Sequence, residues 1–203
     1  MILVLFVSGC ISNESNNSQQ NNDSDDSSYF TLYNLSIQPD DLPQGYVVFS
    51  VDDNMSGQFG FTNVIDPFRV MGITYAHQNG SSVTGVPMIL VSIVKARNVS
   101  DAGFLISNSS DNVIKTVQPL FDAKYSLMNV SMGDEAFGVL FNGSLNASYD
   151  NQSAVWTMLY CRVDEYVFFV SLEEIGPGMI DYSQKTIDYM KIMLNRLQFF
   201  TRK

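Results

Sequence analysis

Ala154-Val-Trp-Thr-Met-Leu-Tyr-Cys-Arg-Val-Asp-Glu-Tyr-Val-Phe-Phe-Val-Ser-Leu172 carries the fold in outline. Two runs rich in β-branched and aromatic residues, Ala154–Val163 and Tyr166–Leu172, flank Asp164-Glu165, a polar pair of the right length for a hairpin turn. Downstream, Gly176-Pro-Gly178 breaks the chain, and Ser183 stands where a helix N-cap belongs. Ile187, Met190, Met193, Leu194 and Leu197 then recur on one helical face. A strand hairpin followed by an amphipathic helix predicts an α+β domain, not an alternating parallel one.

The upstream chain reads the same way. Strands are predicted over Tyr29–Ile37, Tyr46–Asp52, Phe68–Tyr75, Tyr125–Val130 and Glu135–Phe141. Met88–Lys95 is the most apolar run and reads as a central strand. Gln38–Gly45, Asp53–Pro67, the turn at Asn79 and Asn142–Gln152 are loops, with an extended piece near Phe59–Phe61. Ser100-Asp101 caps a helix whose apolar positions are Phe104, Leu105, Ile106, Val113, Ile114 and Val117. The Ser/Asn-rich residues 107–111 are expected to break that helix. Consecutive strands with short connections imply an antiparallel sheet with two helices packed on one face.

Composition narrows the function. The formal net charge is −10, from 21 acidic and 11 basic residues. Phosphate binding needs clustered Lys and Arg, so nucleic acid is excluded as a partner, and so is electrostatic docking on anionic lipid heads. Hydrophobic residues make up 45% of the chain, enough for one real core. Of the two cysteines, Cys161 lies inside the apolar hairpin and reads as a small buried side chain.

The other cysteine closes an apolar leader. Met1-Ile-Leu-Val-Leu-Phe-Val-Ser-Gly-Cys10 is too short to span a bilayer, which needs about 20 residues. Val7-Ser8-Gly9-Cys10 resembles the lipobox of lipoproteins, a resemblance that implies cleavage before Cys10 and lipid on its sulfur. No Lys or Arg precedes the apolar run, so residues 1–10 are expected to be a truncated signal peptide. Residues 11–28 are nearly all polar, which predicts a tether with a root-mean-square span of about 25 Å. Residues 29–203 would then form one globular domain.

Gln38-Pro-Asp-Asp-Leu-Pro-Gln-Gly45 and the turn Gly133-Asp-Glu-Ala136, with the hairpin and final helix, resemble uncharacterised surface lipoprotein domains of archaea and actinobacteria. Some of those are similar to the PsbP/Mog1 type of α/β/α sandwich. That resemblance implies the sandwich as an alternative fold and carries no catalytic residues.

Twelve Asn-x-Ser sequons fit a glycosylated, outward-facing protein. Asn13, Asn16 and Asn22 fall in the polar tract, where composition alone produces them. Asn34, Asn54, Asn79, Asn98, Asn108, Asn129, Asn142, Asn146 and Asn151 fall in the domain. An Asn/Ser-rich composition yields such triplets by chance, and every site uses Ser.

Chemical centres are sparse. There is one histidine, His77, and neither a Gly-x-Ser-x-Gly elbow nor a glycine-rich phosphate loop. Asp52-Asp-Asn-Met-Ser-Gly57 matches the start of a calcium loop, with ligand oxygens from Asp52, Asn54 and Ser56 and a glycine at the sixth place. Asn63 occupies the twelfth place, where a bidentate Glu belongs, and a solvated turn accounts for the same residues. The pairs Asp134-Glu135, Asp164-Glu165 and Glu173-Glu174 all sit near turns, where solvation accounts for them. The aromatics, Tyr160, Tyr166, Phe168 and Phe169 among them, are expected in the core. The expected function is a membrane-anchored, non-catalytic domain that binds a small ligand or an envelope protein. The alternative is a surface enzyme with a site assembled only in three dimensions.

Overall fold

The computed structural model describes residues 32–52, 70–78, 86–120, 125–145, 152–176 and 180–201. Among the described residues, seven strands form one antiparallel sheet: β1 Tyr46–Asp52, β2 Val70–His77, β3 Met88–Lys95, β4 Tyr125–Met128, β5 Glu135–Ser144, β6 Ser153–Val163 and β7 Tyr166–Ile175. Their order is β1-β2-β3-β7-β6-β5-β4. Two meanders, β1–β3 and β4–β7, meet where β7 pairs with β3, with Val91 opposite Val170. The helices are α1, described over 32–35, α2 Val99–Val117 and α3 Ser183–Thr201.

The side-chain parity of β6 shows how the layers stack. Ala154, Trp156, Met158 and Tyr160 pack with Ile106, Val113 and Val117 of α2. Val155, Leu159 and Cys161 pack with Tyr189, Met190, Met193 and Leu197 of α3. Successive strand residues face opposite ways, so α2 and α3 lie on opposite faces of the sheet. The expectation of two helices on one face is therefore corrected to three layers, the layer order of the sandwich alternative. The physical reason stands in the sequence. Residues 154–161 are all buried, and only a strand covered on both sides can be apolar without alternation.

The expected strand over Tyr29–Ile37 is also corrected. Residues 32–35 are helical, and Leu32 and Leu35 are buried one turn apart beside Ile37. The Ser36 N–H donates to the Tyr33 carbonyl at 3.1 Å, and the Gln38 side-chain amide donates to the same oxygen at 2.8 Å. These bonds give the segment local partners, so it has no need of a sheet neighbour.

α2 runs unbroken through residues 107–111. Its buried stripe of Ala102, Leu105, Ile106, Ser109, Val113 and Val117 continues across the Ser/Asn segment, and packing outweighs weak propensity. The cap is Asn98, whose side-chain oxygen accepts from the Asp101 N–H at 2.8 Å, so the Ser100-Asp101 cap is displaced by two residues. At α3, Ser183 is the first helical residue and not the cap; its N–H donates to the Asp181 carboxylate at 2.8 Å. The extended piece near Phe59–Phe61 and the turn at Asn79 lie outside the described residues. Among the described residues, no helix is long and apolar enough to cross a membrane.

Candidate functional site

The two turn motifs act as structural clamps. Gly133 holds φ +59°, and a Cβ there would sit 2.4 Å from the Arg162 carbonyl oxygen and 2.6 Å from Cys161 Sγ. The Asp134 N–H donates to that carbonyl at 2.8 Å. The Arg162 guanidinium reaches Asp134 at 3.1 Å and Glu135 at 3.4 Å, and the Asp164 N–H donates to Asp134 at 2.7 Å. Gly-Asp-x-Ala thus ties the start of β5 to the β6–β7 turn. Glu165 pairs with Lys95 at 3.1 Å, which joins that turn to β3.

The Leu42-Pro-Gln-Gly45 entry makes the second clamp. Leu42 is buried, and Gly45 at φ +99° lies so close to His77 that a Cβ would meet its ring at 2.2 Å. Tyr46 stands edge-on to the same imidazole, ring centres 5.6 Å apart. The one histidine is therefore half-buried in packing contacts and not at an open surface. Asp41 pairs with Arg196 of α3 at 2.8 Å, and Arg196 also donates to the Ser36 carbonyl. Tyr75 Oη donates to the Ile37 carbonyl at 2.5 Å.

A further polar group lies on the α3 side, where β7 ends. Glu174 is only 4% exposed, and Tyr182 Oη donates to its carboxylate at 2.6 Å. Burial pushes the Tyr46, Tyr182 and Tyr189 phenols up; for Tyr46, the charges of Tyr189 and Glu174 add to burial. Tyr189 reaches about 12, and its hydroxyl is buried with no hydrogen-bond partner among the described residues. Lys185 lies 5.9 Å from the Tyr189 ring centre, and burial lowers its pKa. Residues far apart in sequence make this group, and no local spacing announces it.

Glu173 points to the opposite face, as alternation requires. Ser171 Oγ donates to it at 3.0 Å, yet burial raises its carboxyl to about 7. The expectation that this pair is solvated is corrected: Glu174 is buried and Glu173 half-buried. Cys161 is buried, as its strand position implies; its thiol faces the Met132 carbonyl at 3.6 Å, and burial pushes it up to about 12.

Of the calcium candidates, Asp52 ends β1 opposite Gly72, while Asn54 and Ser56 lie outside the described residues. Among the described residues, no three His, Cys, Asp or Glu side chains converge to hold a metal ion. Asn98, Asn129 and Asn142 are exposed, and Asn108 is half-buried. Asn34 is half-buried and its sequon serine, Ser36, is fully buried. Asn54, Asn79, Asn146 and Asn151, like Cys10, lie outside the described residues.

Among the described residues, the β1 edge of the sheet is apolar and exposed. β1 stands at the end of the strand order, and Val47, Val48, Phe49 and Val51 are exposed, Phe49 at 64%. An edge strand presents unpaired backbone groups, and proteins usually blunt such edges with charge or proline. β1 has only Asp52.

No protein-family model matches the chain, and no curated protein sequence does. Among solved structures, the extracellular domain of PknH from Mycobacterium tuberculosis is similar at 10% identity. The alignment covers 83% of this chain and 96% of that chain, with a TM-score of 0.49. At that level the likeness carries no argument about this chain.

Proposed function

We propose that the chain is an extracytoplasmic lipoprotein domain, held at the outer face of the cell membrane by lipid on Cys10. The observation that carries the reading is Val7-Ser-Gly-Cys10 followed at once by the polar tract 11–28. The burial of Cys161 supports it, because that thiol is shut in the core and is no accessible disulfide partner for Cys10. The exposed sequons Asn98, Asn129 and Asn142 suit glycans on an outward-facing surface. Mass spectrometry of the membrane fraction tests the anchor. A diacylglycerol-modified N-terminus at Cys10 is expected, and an unmodified N-terminus at Met1 overturns the reading.

The domain's role is non-catalytic binding. Among the described residues, several of its chemically capable side chains are engaged in holding the fold: Arg162 with Asp134 and Glu135, Arg196 with Asp41, His77 against Gly45 and Tyr46. The β1 edge suits an extended segment of an envelope protein, which would add a strand there. A photoreactive residue at Phe49 is expected to crosslink such a protein in the cell, while one at Phe104, exposed on α2, is not. Absence of adducts at Phe49 overturns that assignment.

A further inference from the structure

The last turn of α3 carries two aromatic side chains that the fold does not use. Phe199 is 75% exposed and Phe200 46%. They sit three and four residues after Arg196, so both lie beside it on the helix surface, about 4.5–6 Å along the axis. Arg196 is fixed by its contacts with Ser36 and Asp41 to the segment that follows α1. Leu197, one residue on, shares a core with Leu32 and Leu35. Through Arg196 the exposed rings therefore lie near the segment 36–41, a few residues after the described chain begins at residue 32.

That placement has a consequence if the chain is anchored at Cys10. The tether expected from residues 11–28 would enter the domain at the end that bears Phe199 and Phe200. A span of about 25 Å keeps those rings within reach of the lipid throughout. Aromatic side chains favour the membrane–water boundary, and two rings beside a tether meet lipid at high effective concentration. The net charge of −10 works against anionic head groups, and zwitterionic lipid gives Arg202 and Lys203, which follow the rings, no net charge to attract them, so apolar contact is read by itself there.

We propose that Phe199 and Phe200 dock against the lipid surface to which the chain is tethered, giving the domain a second membrane contact and a fixed orientation. The proposal rests on the lipoprotein reading for its biological setting, but its test does not. The full chain is coupled through Cys10 to a maleimide lipid in phosphatidylcholine vesicles; Cys161 is buried and stays out of the coupling. Phe199→Trp and Phe200→Trp report contact by quenching with brominated lipid, against a constant background from Trp156, which is buried. Phe104→Trp, on the α2 side and 56% exposed, is the control.

Quenching and a blue shift are expected at 199 and 200 and not at 104, unchanged in high salt. Phe199→Ser in the Phe200→Trp chain should lower the ratio of docked to undocked domain on the order of tenfold. Equal quenching at all three positions, or none at 199 and 200, overturns the proposal. A blue shift without vesicles that grows with protein concentration also overturns it, and assigns the rings to a second copy of the chain. Because the tether is chemical, an absence of lipid on Cys10 in the cell leaves this result standing and removes only the anchor.

Discussion

Gly133→Ala probes the clamp on which the hairpin turn depends. At φ +59° an alanine in the left-handed region costs about 1 kcal/mol. Its Cβ would also meet the Arg162 carbonyl oxygen at 2.4 Å and Cys161 Sγ at 2.6 Å, closer than real contacts allow. The carbonyl cannot retreat cheaply. It accepts the Asp134 N–H at 2.8 Å, and its residue is paired with Glu135 in the sheet. Overpacking of this kind costs about 1–3 kcal/mol, so the sum is about 3 kcal/mol. For a domain of this size that lowers Tm by about 6–12 °C. Thermal and urea unfolding followed by circular dichroism measure it. Gly103→Ala supplies the opposite sign. Nothing lies within 4 Å of a Cβ at Gly103, which sits inside α2. Helix propensity alone then stabilises the variant by about 0.5–1 kcal/mol. A Tm loss under about 2 °C for Gly133→Ala, or the same loss in both variants, refutes the steric argument.

Three further outcomes are expected. Tyr182→Phe removes the donor that Glu174 accepts in a buried site, which costs about 1.5–3 kcal/mol in urea unfolding; Tyr189→Phe, whose hydroxyl has no partner among the described residues, is close to neutral. Asn98→Ala loses the α2 cap and about 1 kcal/mol, while Asn98→Asp keeps an accepting oxygen and most of the stability. Glu173 has a pH signature. Its folded-state pKa, raised to about 7, lies above the unfolded carboxylate value, so its protonated form stabilises the fold below about pH 4 and that stabilisation is lost as pH rises through 7. Glu173→Gln is therefore expected to raise Tm at pH 8 and leave it nearly unchanged at pH 4, and an equal shift at both speaks against a raised pKa.

Much of the sheet was legible locally. β1 and β3 have the expected bounds, and the β6–β7 hairpin extends the expected strands by a residue or three. Strands whose neighbours follow within a few residues announce themselves by pattern. α1 was misread because Leu32, Leu35 and Ile37 fit a two-residue and a three-residue period almost equally, and the choice falls to where their backbone groups find partners. The polar group around Glu174 was invisible for another reason. Its members come from β1, β7, α3 and the residue just before α3, and the burial that perturbs them exists only once those elements meet.

Local pattern was enough for an antiparallel α+β domain, for its apolar strands and for the turn motifs that end at Gly45 and begin at Gly133. These are properties of neighbouring residues: alternation, turn chemistry and composition act over a few positions. Tertiary contacts set the rest: α2 and α3 take opposite faces, Glu174 is buried against Tyr182, and the end of α3 that bears Phe199 and Phe200 is pinned through Arg196 to Ser36 and Asp41. Each of those follows from which surfaces of distant elements exclude water together, and burial of that kind is shared between segments that no local pattern links.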